Sequence, residues 1–392
     1  MYCHEIQLEN FRNIKNATVR FREGVNLLVG DNAQGKTNML EAVYFATIGK
    51  SFRGASSDEL ISFGEESSNI VMQYHDSVRM STLSVKISSD RQKIIEQNGV
   101  KIRRLSEMVG QLRAVLFVPE HLSLIKEGPS ERRNWLDVAL CQLYPRYLTA
   151  LSRFNKLLKN RNRLLKDSEN DFGSFAVTVD FWSEQMSREA SIVTAYRQEY
   201  IKRASEHVGR FFSDMTGNKE TVELIYSPSV KLPVEECGNT DKVYEEYVKL
   251  LTSNYQREMA AGTSLWGIHK DDIDIKINGR AAREFASQGQ QRSISLAMKL
   301  AEGEICREIT GDDPIFLFDD VLSELDINRR TYLLSELNGV QVIMTGCDRS
   351  FTGDAHVISV ENGNYYAEDV EELEEPTETV SESDEDEDMK VF

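Results

Sequence analysis

Gly30-Asp31-Asn32-Ala33-Gln34-Gly35-Lys36-Thr37 has the Gly-x-x-x-x-Gly-Lys-Thr pattern of a P-loop. It stands between an apolar run that predicts a buried strand, Val25–Val29, and a segment that predicts a helix, Asn38–Ile48. Glycines let backbone N–H groups curl around phosphates, and the helix N-terminus adds partial positive charge. Lys36 can then reach the β- and γ-phosphates, and the Thr37 hydroxyl can bind Mg²⁺. The stretch therefore predicts an α/β fold that binds a nucleoside triphosphate.

A P-loop also needs a carboxylate on the metal side, at the end of a neighbouring strand. The apolar run Ile315–Phe318 predicts a strand buried on both faces, and Asp319 and Asp320 follow it directly. We expect Asp319 to hold Mg²⁺ through water. Asp320 stands one residue further out, where a carboxylate can orient or deprotonate the attacking water. The alternatives for Asp320 are a spectator or a helix N-cap.

Three further stretches narrow the kind of P-loop protein. Ser287–Gln291 precedes a helix predicted to run to about Ile309, so a hydroxyl, exposed N–H groups and a helix dipole form a second anion site. Ser323-Glu324-Leu325-Asp326 follows the strand carboxylates at short range. Asn10-Phe11-Arg12 precedes the P-loop.

The composition is that of a soluble protein, with 392 residues, 40% hydrophobic and 28% charged. We find no apolar run near the ~20 residues needed to cross a bilayer, and no signal peptide at the N-terminus. Five scattered cysteines favour free thiols in a reducing compartment over a zinc site. The chain is therefore expected in the cytoplasm, without a membrane partner.

The formal charge of −18 argues at first sight against a nucleic-acid partner. That charge is uneven, because residues 368–392 hold 13 Asp/Glu and one Lys, which leaves about −6 on the rest. This tail is predicted to be disordered, since it repels itself and has few apolar residues. It is either a solubility tail or a nucleic-acid mimic or partner-docking tail.

The pattern along the chain predicts one α/β head built from residues 1–125 and 263–367, with a helical lobe, 126–262, inserted between them. Helical spacing dominates from Ser130 to about Met215, and another helix is predicted over Val243–Ala260. Residues 217–240 hold Gly, Pro and Asn and are predicted to be a loop or linker. The other predicted strands lie within Ile6–Phe21, Ile70–Ile95, Leu112–Val118, Asp274–Arg280 and Val340–Thr345.

One predicted helix of the lobe is strongly basic. Residues 146–166 hold seven Lys/Arg and no acid, and most of them fall away from the apolar stripe. Such a helix suits sequence-neutral contact with a sugar-phosphate backbone, and the alternative is a solvated helix face. The candidate DNA-binding residues are Arg146, Arg153, Lys156, Lys159 and Arg163.

These motifs occur in the order found in ABC-type ATPases, and their local form resembles the RecF family of bacterial recombination mediators. The resemblance covers residues 1 to about 365 and is carried by Leu8-x-Asn10-Phe11-Arg12, Gly30–Thr37, Pro129-x-x-x-Arg133-x-x-Leu136-Asp137, His269-Lys270-Asp271-Asp272, Ser287–Gln291 and Asp319-Asp320-Val321-x-Ser323-Glu324-Leu325-Asp326. It implies an ABC-type ATPase head, related to SMC proteins, that carries a short helical lobe.

The resemblance also implies a function in recombinational repair and replication restart. RecF-like proteins dimerise on ATP, bind DNA at gaps or single-strand/double-strand junctions, and help RecR and RecO load recombinase, with slow, DNA-stimulated hydrolysis. Each nucleotide lies between one P-loop and the partner's Ser287–Gln291 signature, so ATP, Mg²⁺ and a second copy are expected. Asp320 is the implied catalytic residue, and Thr37 and Asp319 the implied metal ligands. The implied nucleotide contacts are Arg12, Gly30, Asp31, Asn32, Ala33, Gln34, Gly35, Lys36, Thr37, Asn38, Ser287, Gly289, Gln290 and Asp326.

The sequence departs from the family pattern at several places. Gly267-Ile268 replaces Gly-Pro, Lys270 replaces an Arg, and Thr345 stands where a switch His is usual. Phe117-Val118-Pro119-Glu120 offers no metal-ligating Gln. The missing His leaves open a scaffold that binds ATP with little turnover. A subunit of another complex, such as a membrane transporter, is a further alternative that the helical insertion disfavours.

Overall fold

A computed structural model describes residues 1–90, 92–168, 172–347 and 355–367. The predicted disordered tail, 368–392, lies outside the described residues. The strands are β1 (Tyr2–Phe11), β2 (Ile14–Arg20), β3 (Val25–Val29), β4 (Ser67–His75), β5 (Met80–Ser88), β6 (Lys93–Gln97), β7 (Val100–Ile102), β8 (Ala114–Phe117), β9 (Val222–Ser227), β10 (Asp272–Ile277), β11 (Arg280–Ala281), β12 (Ile315–Phe318), β13 (Val342–Gly346), β14 (His356–Glu361) and β15 (Asn364–Ala367). The helices are α1 (Lys36–Ile48), α2 (Leu105–Met108), α3 (Pro129–Leu143), α4 (Pro145–Asp167), α5 (Phe172–Met215), α6 (Thr240–Ser253), α7 (Tyr255–Ala261), α8 (Ala282–Phe285), α9 (Gln288–Thr310) and α10 (Ile327–Glu336).

The central sheet brings the two ends of the chain together. Its order is β15-β14-β3-β13-β12-β8, and every pair is parallel except β14–β15. All four residues of β8 and of β12 are buried, as continuous apolar runs in parallel strands require. Because the strands are parallel, the carboxyl ends of β3, β12 and β13 meet at one edge, and this edge carries the nucleotide motifs.

A second, antiparallel sheet covers α1 from the other side. Its order is β2-β1-β4-β5-β6-β7. One hydrophobic cluster joins Ile6 and Met72 of this sheet, Val43 of α1, and Leu317 and Ile343 of the central sheet. Helix α1 therefore lies between two sheets, which explains why nearly all of its residues are buried.

The inserted helices share a core with the central sheet. Helix α5 packs against α4, α6, α9 and β9. Trp135 of α3 meets Tyr200 of α5 edge-on, with ring centroids 6.0 Å apart, and both belong to one cluster with Leu296 of α9 and Phe316 of β12. The long helices thus continue the head's hydrophobic core.

The prediction of a loop or linker over residues 217–240 was wrong in part, because β9 lies within it. Strand β9 pairs antiparallel with β10, and β11 completes a three-stranded sheet. Only Val222, Leu224 and Tyr226 alternate as buried residues, so the local signal is short. The partner strand comes much later in the chain, and this pairing joins the inserted segment to the segment that follows it.

The hairpin β14–β15 was not predicted, although the sequence holds a signal for it. Asn362-Gly363 is a typical two-residue hairpin turn, and both residues have positive φ, 50° and 77°. Within the described part of the chain, no helix combines the length and apolar character that a bilayer crossing requires.

Candidate nucleotide-binding site

The predicted phosphate loop opens onto a cleft of about 990 Å³ at the carboxyl edge of the central sheet. One wall is the loop and the start of α1, and the opposite wall comes from the segment between β8 and α3. The lining residues are Asn13, Asn32, Ala33, Gln34, Gly35, Lys36, Thr37, Asn38, Phe52, Arg53, Val118, Pro119, Glu120, His121, Leu124, Glu127, Glu131, Asn134, Asp319, Asp320, Thr345, Gly346 and Cys347. The cleft thus joins most of the P-loop to both predicted carboxylates.

The loop has the backbone geometry of an anion site. Ala33 and Gly35 have φ of 66° and 120°, in the left-handed region. Gly35 precedes α1 without a side-chain cap, so the first N–H groups of the helix are free to meet a ligand. The Lys36 ammonium donates to the carbonyl oxygens of Gly30 and of Asp31, the latter at 2.8 Å. This lysine is therefore held at the loop, where a triphosphate would replace its carbonyl partners.

The β14–β15 hairpin braces the loop from outside. Gly363 N–H donates to the Gln34 carbonyl at 2.9 Å, and the Tyr365 hydroxyl donates to the Gly35 carbonyl at 3.0 Å. A Cβ at Gly30 would lie 2.2 Å from the Val360 carbonyl oxygen, so only glycine fits beside β14. The sequence did not indicate this support, because it depends on a strand pairing near the end of the described chain.

Asp319 lines the cleft beside the last residue of the P-loop, Thr37. One of its oxygens, Oδ1, accepts from the Thr37 hydroxyl at 2.8 Å and from the Thr345 hydroxyl at 2.9 Å. The pKa of Asp319 is raised, chiefly by burial and also by the neighbouring charge of Asp320. The two hydrogen bonds and the charge of Arg53 lower this pKa and so offset part of the rise. A half-buried carboxylate beside a threonine hydroxyl fits Mg²⁺, which prefers hard oxygen ligands.

Asp320 adopts φ of 52°, which is uncommon for a residue other than glycine or asparagine. The conformation is held on both sides: its N–H donates to Thr345 Oγ1 at 2.9 Å and its carbonyl accepts from Ser323 Oγ at 2.7 Å. Asp320 lines the cleft, and the short helical turn that follows has Val321 at its N-cap position. The N-cap alternative for Asp320 is therefore not supported.

Thr345 occupies the position where a switch histidine was expected. It is buried, and its hydroxyl links both carboxylate residues: it donates to Asp319 and accepts from the Asp320 N–H. Threonine does not titrate near neutral pH, so this position supplies a fixed hydrogen bond and no proton transfer.

The predicted signature stretch, Ser287–Gln291, does not line this cleft. Ser287 caps α9: its Oγ accepts from Gln290 N–H at 3.3 Å, and Gln290 Oε1 accepts from Ser287 N–H at 2.7 Å. Asp326 caps α10, and the Arg329 guanidinium donates to the Gly289 carbonyl at 3.0 Å. These capped helix starts form one surface, here called the signature face (287–290 and 326–329). No described residue that lines the cleft belongs to it.

The structure places Arg12 away from the cleft, and a different arginine, Arg53, lines it. The Arg12 guanidinium does not line the cleft and instead donates to Glu41 Oε2 at 2.9 Å and Oε1 at 2.8 Å. Arg53, which the sequence reading missed, does line the cleft and donates to Asn38 Oδ1 at 3.1 Å. Its closeness to the P-loop helix in sequence was the available signal.

The wall opposite the P-loop holds a histidine, His121, that was not predicted from the sequence. His121 stacks on Phe117, with ring centroids 6.4 Å apart. Burial, and then the charge of Lys299, hold the pKa of His121 well below its usual range, so it is neutral at physiological pH.

The comparisons with known proteins agree with this geometry. The family model described as the RecF/RecN/SMC N terminal domain matches residues 2–362. The DNA replication and repair protein RecF of Acetivibrio thermocellus is 36% identical over 371 residues, 93% of this chain and 100% of that protein. The chain belongs to the RecF family.

Solved structures support the same conclusion. A structure of the recombination mediator protein RecF-ATP in the RecFOR pathway is 33% identical, covers 94% of this chain and 98% of that one, and has a TM-score of 0.87. An Smc head bound to the C-winged helix domain of ScpA has a TM-score of 0.55 at 16% identity, which shows a shared fold. The fold is thus the ABC-type ATPase head, and the RecF family is one of ATP-binding, DNA-binding repair and replication proteins.

The basic helix of this RecF-family chain is α4. Its five candidate residues, Arg146, Arg153, Lys156, Lys159 and Arg163, are all exposed. Two of the five have acidic neighbours, Glu189 at 3.5 Å from Arg153 and Asp167 at 3.7 Å from Arg163. Arg161 is fully buried and pairs with Glu258 at 2.5 Å, so it serves the fold.

Proposed function

We propose that this RecF-family chain is an ATP-controlled DNA clamp, in which ATP joins two copies. The observation that carries the proposal is the separation of the cleft from the signature face. A triphosphate in the cleft would meet Lys36, Thr37 and Asp319, while Ser287 of the same chain is not among the lining residues. A second copy that presents its signature face would complete the site.

We propose a separate role for each of three segments of the chain. Residues 1–125 and 263–367 form the ATPase head, 126–262 form the helical lobe, and 368–392 form an acidic tail. The lobe carries the basic face of α4, and its exposed cations suit a DNA backbone without reading bases. The partners proposed are gapped or junction DNA, a second copy, and RecR with RecO, for loading recombinase at gaps in repair and replication restart.

Hydrolysis is proposed to be slow and stimulated by DNA. Thr37 and Asp319 would hold Mg²⁺, and Asp320 would orient or deprotonate the attacking water. The hydroxyl of Thr345 at the switch position favours a second candidate, a scaffold that binds ATP with little turnover. Turnover by the wild type separates the two: measurable DNA-stimulated release of phosphate supports the first and its absence the second.

The test of the clamp is sedimentation of the full chain with saturating Mg²⁺ and either ATP or ADP. We expect a dimer with ATP and a monomer with ADP. Ser287→Arg should prevent the dimer and leave the ATP affinity of the monomer unchanged, because the signature face is outside the chain's own cleft. A monomer under saturating ATP would overturn the clamp.

DNA binding is tested with gapped and blunt duplexes, with and without ATP. We expect ATP to tighten binding to the gapped duplex. Lys156→Glu with Lys159→Glu should weaken that binding and flatten its salt dependence, since two phosphate contacts are lost. Lys242→Glu with Lys249→Glu, on α6, is the matched control. Equal losses in both pairs would place the DNA elsewhere.

A further inference from the structure

The loop after α1 brings Arg53 to the nucleotide cleft. The Arg53 side chain is about half exposed, at 49%, and its guanidinium donates to Oδ1 of Asn38, in the first turn of α1. Phe52, the preceding residue, also lines the cleft and meets Tyr44 edge-on at 5.7 Å. A cation at this position faces the place where phosphate charge would accumulate.

Ser51 ties this loop to the protein interior. Its hydroxyl donates to Glu41 Oε1, and its oxygen accepts from the N–H groups of Arg53 at 3.0 Å and Ala55 at 3.3 Å. One hydroxyl therefore fixes the backbone on which Arg53 stands. A hydroxyl that donates in one direction and accepts in another is held in a single orientation by its partners.

Glu41 is the anchor of this arrangement. Its carboxylate is fully buried in the middle of α1. A buried carboxylate is costly unless it is paired and hydrogen-bonded. Arg12 supplies two N–H donors to it, and a third N–H of Arg12 is fixed on the Glu59 carbonyl at 3.0 Å. Arg53 adds a second cation, 3.8 Å from Glu41 Oε2.

We propose that Glu41 is a positioning residue of the nucleotide site, which acts through Ser51 to hold Arg53 at the cleft. Arg12 is the counter-charge that pairs with the buried Glu41 carboxylate and holds it in place, so it serves the nucleotide at a distance without lining the cleft. The inference rests on ATP binding in this cleft. A loop that is already ordered loses less entropy when the phosphates arrive, and this pre-organisation is the physical benefit.

A double-mutant cycle on the full chain tests the inference, with the Kd of Mg·ATP measured by calorimetry. We expect Arg53→Ala to weaken binding at least about tenfold, as for a hydrogen bond to a charged group. Ser51→Ala should weaken it roughly 3- to 10-fold, and Ser51→Thr should restore it. In the Arg53→Ala background, Ser51→Ala should have no further effect, because Ser51 acts only through Arg53.

Additive effects of the two substitutions would overturn the inference, as would an unchanged Kd in Arg53→Ala. Glu41→Gln gives a second cycle with Arg53→Ala and the same expectation; if that variant does not fold, the Ser51 cycle decides alone. Ser56→Ala, an exposed serine of the same loop, is the control and should leave the Kd unchanged. Failure of the wild type to bind Mg·ATP would instead overturn the proposed function, so the two failures are distinguishable.

Discussion

At the scale of single residues, the cleft holds two adjacent carboxylates in different environments. Asp319 is half-buried and receives two hydroxyl donors, whereas Asp320 is exposed and lines the cleft from a left-handed backbone. The first environment suits a metal ligand, which can tolerate burial because a cation returns the lost solvation. The second suits a group that must reach a water molecule.

Asp320→Asn should remove turnover and spare binding. The amide keeps the size of the side chain and loses the ability to accept a proton, so we expect ATP hydrolysis to fall about 100-fold or more. The Kd of Mg·ATP should stay within about twofold, and the ATP-bound dimer should live longer. Phosphate release and calorimetry measure the two quantities. An unchanged rate would show that another group activates the water.

Asp319→Asn should weaken metal-dependent binding and stabilise the nucleotide-free protein. Losing a charged contact to the metal should cost roughly 10- to 100-fold in Mg·ATP affinity. The pKa of Asp319 is raised, chiefly by burial, so its contribution to stability is fully present below the ordinary value of 3.8 and is lost as pH rises through the folded-state pKa. At pH 7.5 the ionised carboxylate opposes folding, and asparagine removes that opposition.

The Tm values of the nucleotide-free proteins, measured by calorimetry, test whether the ionised Asp319 carboxylate opposes folding. The variant should melt above the wild type at pH 7.5, and the gap should narrow as pH falls towards 4. A variant that melts lower at pH 7.5 contradicts the argument.

At the scale of elements, the P-loop depends on a hairpin that is distant in sequence. Tyr365 of β15 donates to the Gly35 carbonyl, which fixes the last turn of the loop before α1. Tyr365→Phe removes only this hydroxyl, and we expect ATP affinity to fall about 2- to 10-fold, the effect of one neutral hydrogen bond. Tyr366→Phe is the matched control, since Tyr366 is its exposed neighbour on the same strand. Equal Kd values for both variants would show that the hairpin does not order the loop.

The helical segment is joined to the head by a buried arginine. Arg197 of α5 donates to Asp137 of α3 at 2.8 Å and to the fully buried Asp271 at 2.9 Å, and Tyr147 of α4 donates to the same Asp137. Three helices and the residue that precedes β10 therefore meet at one guanidinium. Burial raises the pKa of Asp271 and its ion pair with Arg197 lowers it, so the pairing offsets the cost of placing a carboxylate here.

Arg197→Met should lower the free energy of unfolding by about 3–5 kcal/mol, because it leaves buried carboxylates without their partner. Arg203→Met, on the same helix, removes an exposed pair with Glu199 and should change the free energy by less than about 1 kcal/mol. Urea denaturation followed by circular dichroism gives both values. Similar losses in the two variants would mean that the buried network is not what joins lobe and head.

The sequence predicted those elements whose signal is local. The P-loop with its flanks, the strand Ile315–Phe318 and α9 each carry a complete pattern within one window, and the structure confirms them. Strand β9 is only six residues long and obtains its partner from beyond the helical segment, so loop composition outweighed its alternation. Arg53 was missed for a different reason: it is close to the P-loop in sequence, but its place at the cleft depends on side-chain contacts with Ser51 and Asn38 that the residue pattern does not show.

At the scale of the whole molecule, the charge is divided in a way that matters for a polyanionic partner. The net charge is −18, of which −12 belongs to residues 368–392, while the exposed face of α4 is basic. If DNA binds at α4 as proposed, it would meet local attraction against a repulsive background. The repulsion is long-range only at low salt, because the Debye length falls from about 30 Å at 0.01 M to about 3 Å at 1 M.

Replacing the six acids of 382–388 with amides takes the net charge from −18 to −12. We expect DNA binding to tighten about 2- to 10-fold at low ionic strength, with a gap that closes as salt is raised. Mg·ATP affinity should not change, because Lys36, Thr37 and Asp319 are untouched. Fluorescence anisotropy with a gapped duplex over a salt series measures the difference in DNA affinity between this variant and the wild type. A chain with Thr377, Thr379, Ser381 and Ser383 replaced by Asn is the matched control. A DNA affinity that is equal at every salt concentration would leave solubility as the role of the tail.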